Sequence, residues 1–128
     1  MTNELEPLAE RQREFARARD WEQFHTPKNL AMALAGEAGE LLAEFQWLTP
    51  DESADLDPEA LARVRSELAD VTLYLVRLAD VLGVDLVAAA NAKLDEGEQR
   101  YDADLYRGSA RKAPPLNESP RESRPPRE

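Results

Sequence analysis

The chain has 128 residues, 42% of them hydrophobic, no cysteine, and a formal net charge of -10 at pH 7. That length suits a single domain, and the missing cysteines exclude both a disulfide framework and a thiolate metal site. The acidic balance argues against binding a nucleic-acid polymer through a basic face, while a nucleotide held through cations stays open. The charge is uneven: residues 109–128 carry +2 and residues 1–108 carry -12. A strongly anionic body suits a protein that recruits divalent cations. The first residues, MTNELEPLAE, lack the basic-then-apolar pattern of a secretory signal. No apolar run reaches the roughly 18 residues that a membrane span needs, and a cytoplasmic protein is expected.

Residues 4–20 are rich in Arg and Glu, with Leu8, Phe15 and Ala16 as sparse apolar points, and read as a helix with one wet face. Thr26 and Pro27 then supply an N-cap and a first helical residue. The central helix should run from there to about Trp47–Thr49, where Pro50 stops it. Residues 50–57 read as a polar acidic loop. Asp57 caps and Pro58 opens a second long helix that ends near Leu82, with Gly83 as its stop. Asp85 caps a third, from about Leu86 to Arg100, and Tyr101 to Arg107 add a short turn. No segment shows a convincing period of two, so the expected fold is all-α, a four-helix bundle. Residues 1–108 form its domain. From Ser109 onward Pro, Ser, Arg and Glu dominate, and the 109–128 tail is expected to be disordered.

Between Leu30 and Phe45 the charged residues are Glu37, Glu40 and Glu44. At about 100° per residue they share a stripe roughly 60° wide, and the rest of the circumference is Leu, Ala, Met, Gly and Phe. The expectation is a helix buried almost all round, with its three carboxylates aimed into one enclosed place. Unpaired buried carboxylates are costly, so a cation should meet them. On the next helix Glu67 and Asp70 lie one turn apart, with Tyr74 and Arg77 along the same stripe. Two acidic pairs on antiparallel helices would offer hard oxygen ligands of the kind Mg²⁺ takes together with substrate phosphates. Pattern alone leaves ordinary helix surface open beside the metal site. A carboxylate-bridged di-iron bundle needs Glu-x-x-His motifs, and the single histidine, His25, lies outside both helices.

Trp21, Phe24, His25, Trp47 and Tyr74 are most of the aromatic residues. Flat rings can sandwich a nucleobase, and tryptophans can equally plug the ends of a bundle. Lys28, Lys93, Arg100 and Arg107 can neutralise phosphate, or be simple solvated side chains.

Three segments, HTPKNLAMALAGEAGELLAEFQW, SELADVTLYLVRLADVLGVDL and AKLDEGEQRYDADLYRGSARK, resemble the all-α nucleoside triphosphate pyrophosphatases of the MazG-like superfamily. Within it the chain looks most like the dCTP pyrophosphatases, over roughly Glu14 to Lys112. The resemblance implies Mg²⁺-dependent hydrolysis of dCTP or a modified dCTP to dCMP and pyrophosphate, which clears the nucleotide pool. It implies Glu37, Glu40, Glu67 and Asp70 as metal ligands, with Glu37 or Glu40 taking a proton from the attacking water. It implies Trp21, His25, Trp47 and Tyr74 as a nucleotide pocket and Lys93, Arg100 and Tyr101 as phosphate contacts. It also implies a homo-oligomer, a dimer or tetramer. Two positions depart from the pattern: Gln12 stands where His is expected and Gly97 where Asn is common, which leaves the preferred base open. A dUTP or broad-range pyrophosphatase is the nearest alternative. A non-catalytic helical interaction module is the alternative from another class.

Overall fold

A computed structural model of the chain describes residues 4–116. Its regular elements are all helical: α1 (Glu6–Ala18), α2 (Pro27–Ala43), α3 (Pro50–Ala54), α4 (Pro58–Leu82), α5 (Leu86–Arg100) and α6 (Ala103–Tyr106), with a 3-10 turn at Glu22–Phe24. No strand occurs among the described residues, and no described helix is long and apolar enough to cross a membrane.

The chain's own chemistry sets most of these boundaries. Pro lies in the first turn of α1, and the helix stops at Ala18 because Asp20 takes a left-handed conformation, φ 54°. That residue turns the chain so that the Trp21 N–H donates back to the Ala16 carbonyl at 2.9 Å. Thr26 caps α2 by accepting from the Asn29 N–H at 3.2 Å, with Pro27 next in line. Asp57 caps α4 through the Ala60 N–H at 2.7 Å. Gly83 closes α4 at φ 70°. A side chain at that φ is strained even in open space. Gly83→Ala is therefore expected to cost about 1 kcal/mol, roughly 4 °C in a thermal melt.

Two expectations about α2 and its exit need correction. The helix ends at Ala43 rather than near Trp47, because the next turns tighten: Glu44 and Phe45 donate to carbonyls three residues back, Leu41 and Leu42. Residues 50–57 are not simply a loop. Thr49 and Glu52 form a reciprocal capping box, 3.2 and 2.9 Å, and Pro50 opens the short helix α3.

The chain divides into two compact units between Val87 and Ala88. In the first, α4 is the principal neighbour of α2 and also packs on α1. His25 meets Arg77, Glu37 meets Asp70, and Glu44 meets Arg63. Rising numbers thus pair with falling ones, and α2 and α4 run antiparallel. The core holds small or medium side chains: Ala9, Ala16, Leu30, Val64, Val76 and Ala79. The expected all-round burial of α2 is not found. Leu30 alone is buried, while Met32 and Leu42 are 63% and 60% exposed. A single large neighbour covers a single side of a helix. The second unit carries most of α5, then α6, which Asp102 caps through the Asp104 and Leu105 N–H groups. There Arg100 Nη2 donates to the Ala113 carbonyl at 2.8 Å and Nε to the Pro114 carbonyl at 3.2 Å. Ala113 is buried. Of the segment expected to be disordered, residues 117–128 lie outside the described residues; residues 109–116 form no helix or strand.

Candidate active site

Helical spacing puts Glu37 and Glu40 one turn apart on α2, and Glu67 and Asp70 one turn apart on α4. Antiparallel packing then sets the pairs face to face. One oxygen each from Glu37, Glu67 and Asp70 lies within 4.8 Å of the other two, and all three residues are half-buried. Glu40 is more exposed, yet its carboxylate stands close enough to Glu37 and Glu67 to raise both of them. Glu44 does not join them, contrary to the expected three-carboxylate stripe. Its Oε2 instead accepts from Arg63 Nε at 3.1 Å, because Arg63 stands opposite it on α4.

Crowded carboxylates resist ionisation. Glu37 is pushed up from 4.5 to about 7, first by desolvation, then by its hydrogen bond with Glu40, then by the charges of Glu40, Asp70 and Glu67. Glu67 is raised too, by desolvation first and then by the charges of Glu40 and Asp70. Glu37 Oε2 and Glu67 Oε2 are buried without a hydrogen-bond partner. Orphaned anionic oxygens beside further carboxylates are a poor arrangement for a protein alone and a good one around a hard divalent cation. The donor set fits such an ion: all oxygen, no sulfur and no imidazole.

Beside this cluster α1, α4, Leu30 of α2 and the segment before α2 line an open-sided cavity of about 480 Å³. Leu8, Gln12 and Phe15 face it from α1, at the i, i+4, i+7 spacing of one helical stripe. Asp70, Tyr74 and Arg77 face it from α4 at the same spacing, and Trp21 and His25 close it from the connecting segment. Trp21 meets Phe15 edge-on, ring centroids 5.6 Å apart. Asp70 is common to the cavity wall and the acidic cluster.

Two polar groups in the wall are held in fixed orientations. Gln12 Nε2 donates to the Leu73 carbonyl at 2.8 Å, which leaves Gln12 Oε1 buried and unpartnered. Arg77 Nε donates to His25 Nδ1 at 3.0 Å. Burial first, and the Arg77 charge second, hold His25 below its ordinary 6.5, while Glu22 pulls the other way.

Of the expected pocket residues, Trp21, His25 and Tyr74 line this cavity. Trp47 does not; it is 86% exposed in the turns after α2. Lys93, Arg100 and Tyr101 belong to the second unit. Lys93 pairs with Glu96 at 3.3 Å, Arg100 is engaged by the 113–114 carbonyls, and Tyr101 packs edge-on against Tyr106. Sequence alone places Phe15 and Arg77 on their helices without giving either a role in the cavity. The helical stripes through residues 8, 12 and 15 and through 70, 74 and 77 were the signal for them.

No protein-family model matches the chain. Human dCTP pyrophosphatase 1 is 47% identical over 110 residues, covering 84% of this chain and 65% of that protein. The bovine protein of the same name is 47% identical over 109 residues, covering 83% and 64%. The chain thus spans slightly less than two thirds of the length of these curated relatives. A crystal structure of a pyrophosphatase from Archaeoglobus fulgidus superposes with a TM-score of 0.71 at 36% identity, covering 80% of this chain and 95% of that one. With the same helical architecture and an identity well above chance along nearly all of that enzyme, the chain belongs to the MazG-like all-α pyrophosphatase superfamily.

Proposed function

We propose that the chain hydrolyses dCTP, or a modified dCTP, to dCMP and pyrophosphate with Mg²⁺, and so clears the nucleotide pool. The observation that carries this reading is the double role of Asp70, which joins an aromatic-walled cavity to a cluster of carboxylates. A nucleoside of ordinary size fits a cavity of about 480 Å³. With its base against Trp21 and Tyr74, the triphosphate would extend toward Glu37, Glu67 and Asp70. Phosphate and carboxylate repel, so a cation has to stand between them. Glu37, Glu67 and Asp70 would hold Mg²⁺, which supplies Lewis acidity toward phosphoryl oxygens and water when bound.

The chain's own groups do the rest. Trp21 and Tyr74 orient the base, and burial of the base excludes water from that end. Glu40 stands outside the trio that meets at 4.8 Å and takes the proton from the attacking water. Water adds to the α-phosphorus, the bond to the α–β bridging oxygen breaks, and pyrophosphate leaves. The human and bovine relatives carry the name dCTP pyrophosphatase 1, which supports cytosine as the base. So does the unpartnered Gln12 Oε1: cytosine offers a 4-amino donor where uracil and thymine present a carbonyl. Gln12→Met is expected to lower kcat/KM for dCTP about tenfold or more and to change dUTP far less. Equal losses on both substrates would remove Gln12 from base selection.

The direct test is a panel of the four dNTPs and dUTP with Mg²⁺, with pyrophosphate release as the readout. Turnover of dCTP above the others is expected, and absence of turnover on every pyrimidine triphosphate ends the reading. The protein is further proposed to act in the cytoplasm, where its substrates are, and as a dimer or tetramer. The bare apolar side chains Met32, Leu42, Trp47 and Leu68 support the assembly. A monomer by sedimentation velocity would rule it out.

A further inference from the structure

Arg77 is 8% exposed and is the one buried charged residue among those described. Its place is over-determined. Arg77 Nη1 reaches Asp80 Oδ2 at 3.2 Å, and the same oxygen accepts from Arg13 Nε on α1 at 2.9 Å. Arg13 in turn pairs with Glu6. The chain of partners crosses from α1 to α4 and ends at His25, 52 positions before Arg77 in sequence.

A guanidinium has N–H donors and no acceptor. The contact from Arg77 Nε to His25 Nδ1 therefore requires a lone pair on Nδ1, and the neutral ring must carry its proton on Nε2. Protonating Nδ1 would set two donors and two positive charges against each other at 3.0 Å. The other charged or titratable groups nearby are few. Glu22 lies on His25's own turn and favours the protonated ring. Asp70 and Tyr74 from α4 and Arg11 from α1 share the cavity wall, and α2 contributes Leu30 alone to it.

We propose that Arg77 is a positioning residue that locks His25 as the neutral Nε2–H tautomer, so that the cavity offers its ligand a fixed hydrogen-bond donor. Asp80, steadied by Arg13, aims the guanidinium. The lock is a property of the protein alone; only the identity of the acceptor, an atom of the bound nucleotide, rests on the reading above. A histidine at the rim of a site for a polyanion otherwise tends to gain a proton as the anion approaches. Arg77 removes that freedom and keeps the donor the same as pH changes.

His25 is the only histidine, so its imidazole can be followed without assignment in the ¹⁵N-labelled full chain. Long-range ¹H–¹⁵N spectra should show the Nε2–H pattern above about pH 7, and a titration midpoint below the ordinary 6.5. Arg77→Met should give mixed tautomers and move the midpoint up. The Nδ1–H tautomer in the unaltered protein overturns the proposal, and so does an Arg77→Met spectrum with unchanged tautomer and midpoint. If Arg77→Met fails to fold, Asp80→Asn serves as the variant: freed of the Asp80 contact the guanidinium loosens, so partial loss of the Nε2–H tautomer is expected, and an unchanged tautomer overturns the proposal. Kinetics add an independent arm. KM for dCTP should stay within about twofold between pH 8 and 6 in the unaltered protein; in the variant it should start higher at pH 8, where the tautomers are mixed, and fall about fivefold or more toward pH 6 as the ring gains a proton that fixes the Nε2 donor and adds a positive charge. The same KM profile in both proteins overturns the lock. Should no triphosphate be turned over at all, the pyrophosphatase reading falls, and the tautomer spectra still decide this one.

Discussion

Asp70→Asn and Glu37→Gln are each expected to lower turnover of dCTP by about 10³-fold or more, with the helical fold intact. Each removes a negative charge from the trio whose oxygens lie within 4.8 Å. A barrier increase of about 4 kcal/mol corresponds to that factor, and losing part of a divalent-cation site is worth several kcal/mol. The two variants should differ in binding. Asp70 also faces the cavity, so Asp70→Asn should disturb KM as well as kcat, whereas Glu37→Gln should act mainly on kcat. Neither should unfold the protein. Glu37 is held against ionisation by desolvation and by its acidic neighbours, so a neutral amide of the same shape relieves repulsion. In metal-free buffer at pH 8 the Glu37→Gln thermal midpoint should equal or exceed that of the unaltered chain. Residual activity above a few per cent in both variants, by pyrophosphate release, would place the chemistry elsewhere. Loss of the helical circular dichroism signal would give these carboxylates a structural role instead.

The acidic pairs were legible because helix geometry is local. A spacing of three on an apolar helix fixes which side chains share a face, whatever the helix packs against. The helix ends were legible for the same reason at Thr26–Pro27, Asp57–Pro58 and Gly83, where the residue type alone satisfies orphan backbone groups. The box at Thr49 and Glu52 carried an equally local signature, S/T-x-x-E with Pro inside it. An acidic run between two long helices reads as a connection all the same, because five residues of helix bury nothing that would mark them.

What could not be read was anything that depends on the opposite helix. Glu44 shares the stripe of Glu37 and Glu40, but it meets Arg63 rather than another carboxylate. Nothing in spacing tells which residue of α4 stands across from it. The contact of Arg77 with His25 is of the same kind. So is the exposure of α2. Its Leu, Ala and Met residues look like core, and composition does not say how many neighbours supply the cover. Trp47 at 86% exposed shows the same gap: a large apolar residue states a need for burial without naming its partner.

Adding Mg²⁺ should raise the thermal midpoint, and by more at pH 8 than at pH 5.5. The sign follows from Glu37 and Glu67, whose folded-state values lie above the ordinary 4.5, Glu37 at about 7. In that window the folded chain keeps protons that the unfolded chain has released. The contribution of Glu37 is therefore full below about pH 4.5 and is lost as pH rises through about 7, and that of Glu67 has the same sign. Metal-free protein should accordingly lose stability from these groups between pH 5.5 and 8. Above pH 7 Glu37 has released its proton beside its acidic neighbours, and a divalent cation relieves the repulsion without having to displace that proton. At pH 5.5 the ion must compete with that proton, so its apparent affinity and its stabilising effect both fall. At a hundredfold excess over Kd, a ligand bound only by the folded state adds about 2.7 kcal/mol, which amounts to several degrees. Thermal scans in EDTA and in Mg²⁺ at the two pH values read this directly, and Glu37→Gln serves as the internal comparison. In that variant the metal-free pH dependence should flatten, because one of the two raised groups is gone, and the Mg²⁺ shift should shrink. Equal Mg²⁺ shifts at both pH values, or none at either, would mean that no cation binds at the carboxylates, and the proposed chemistry would lose its site.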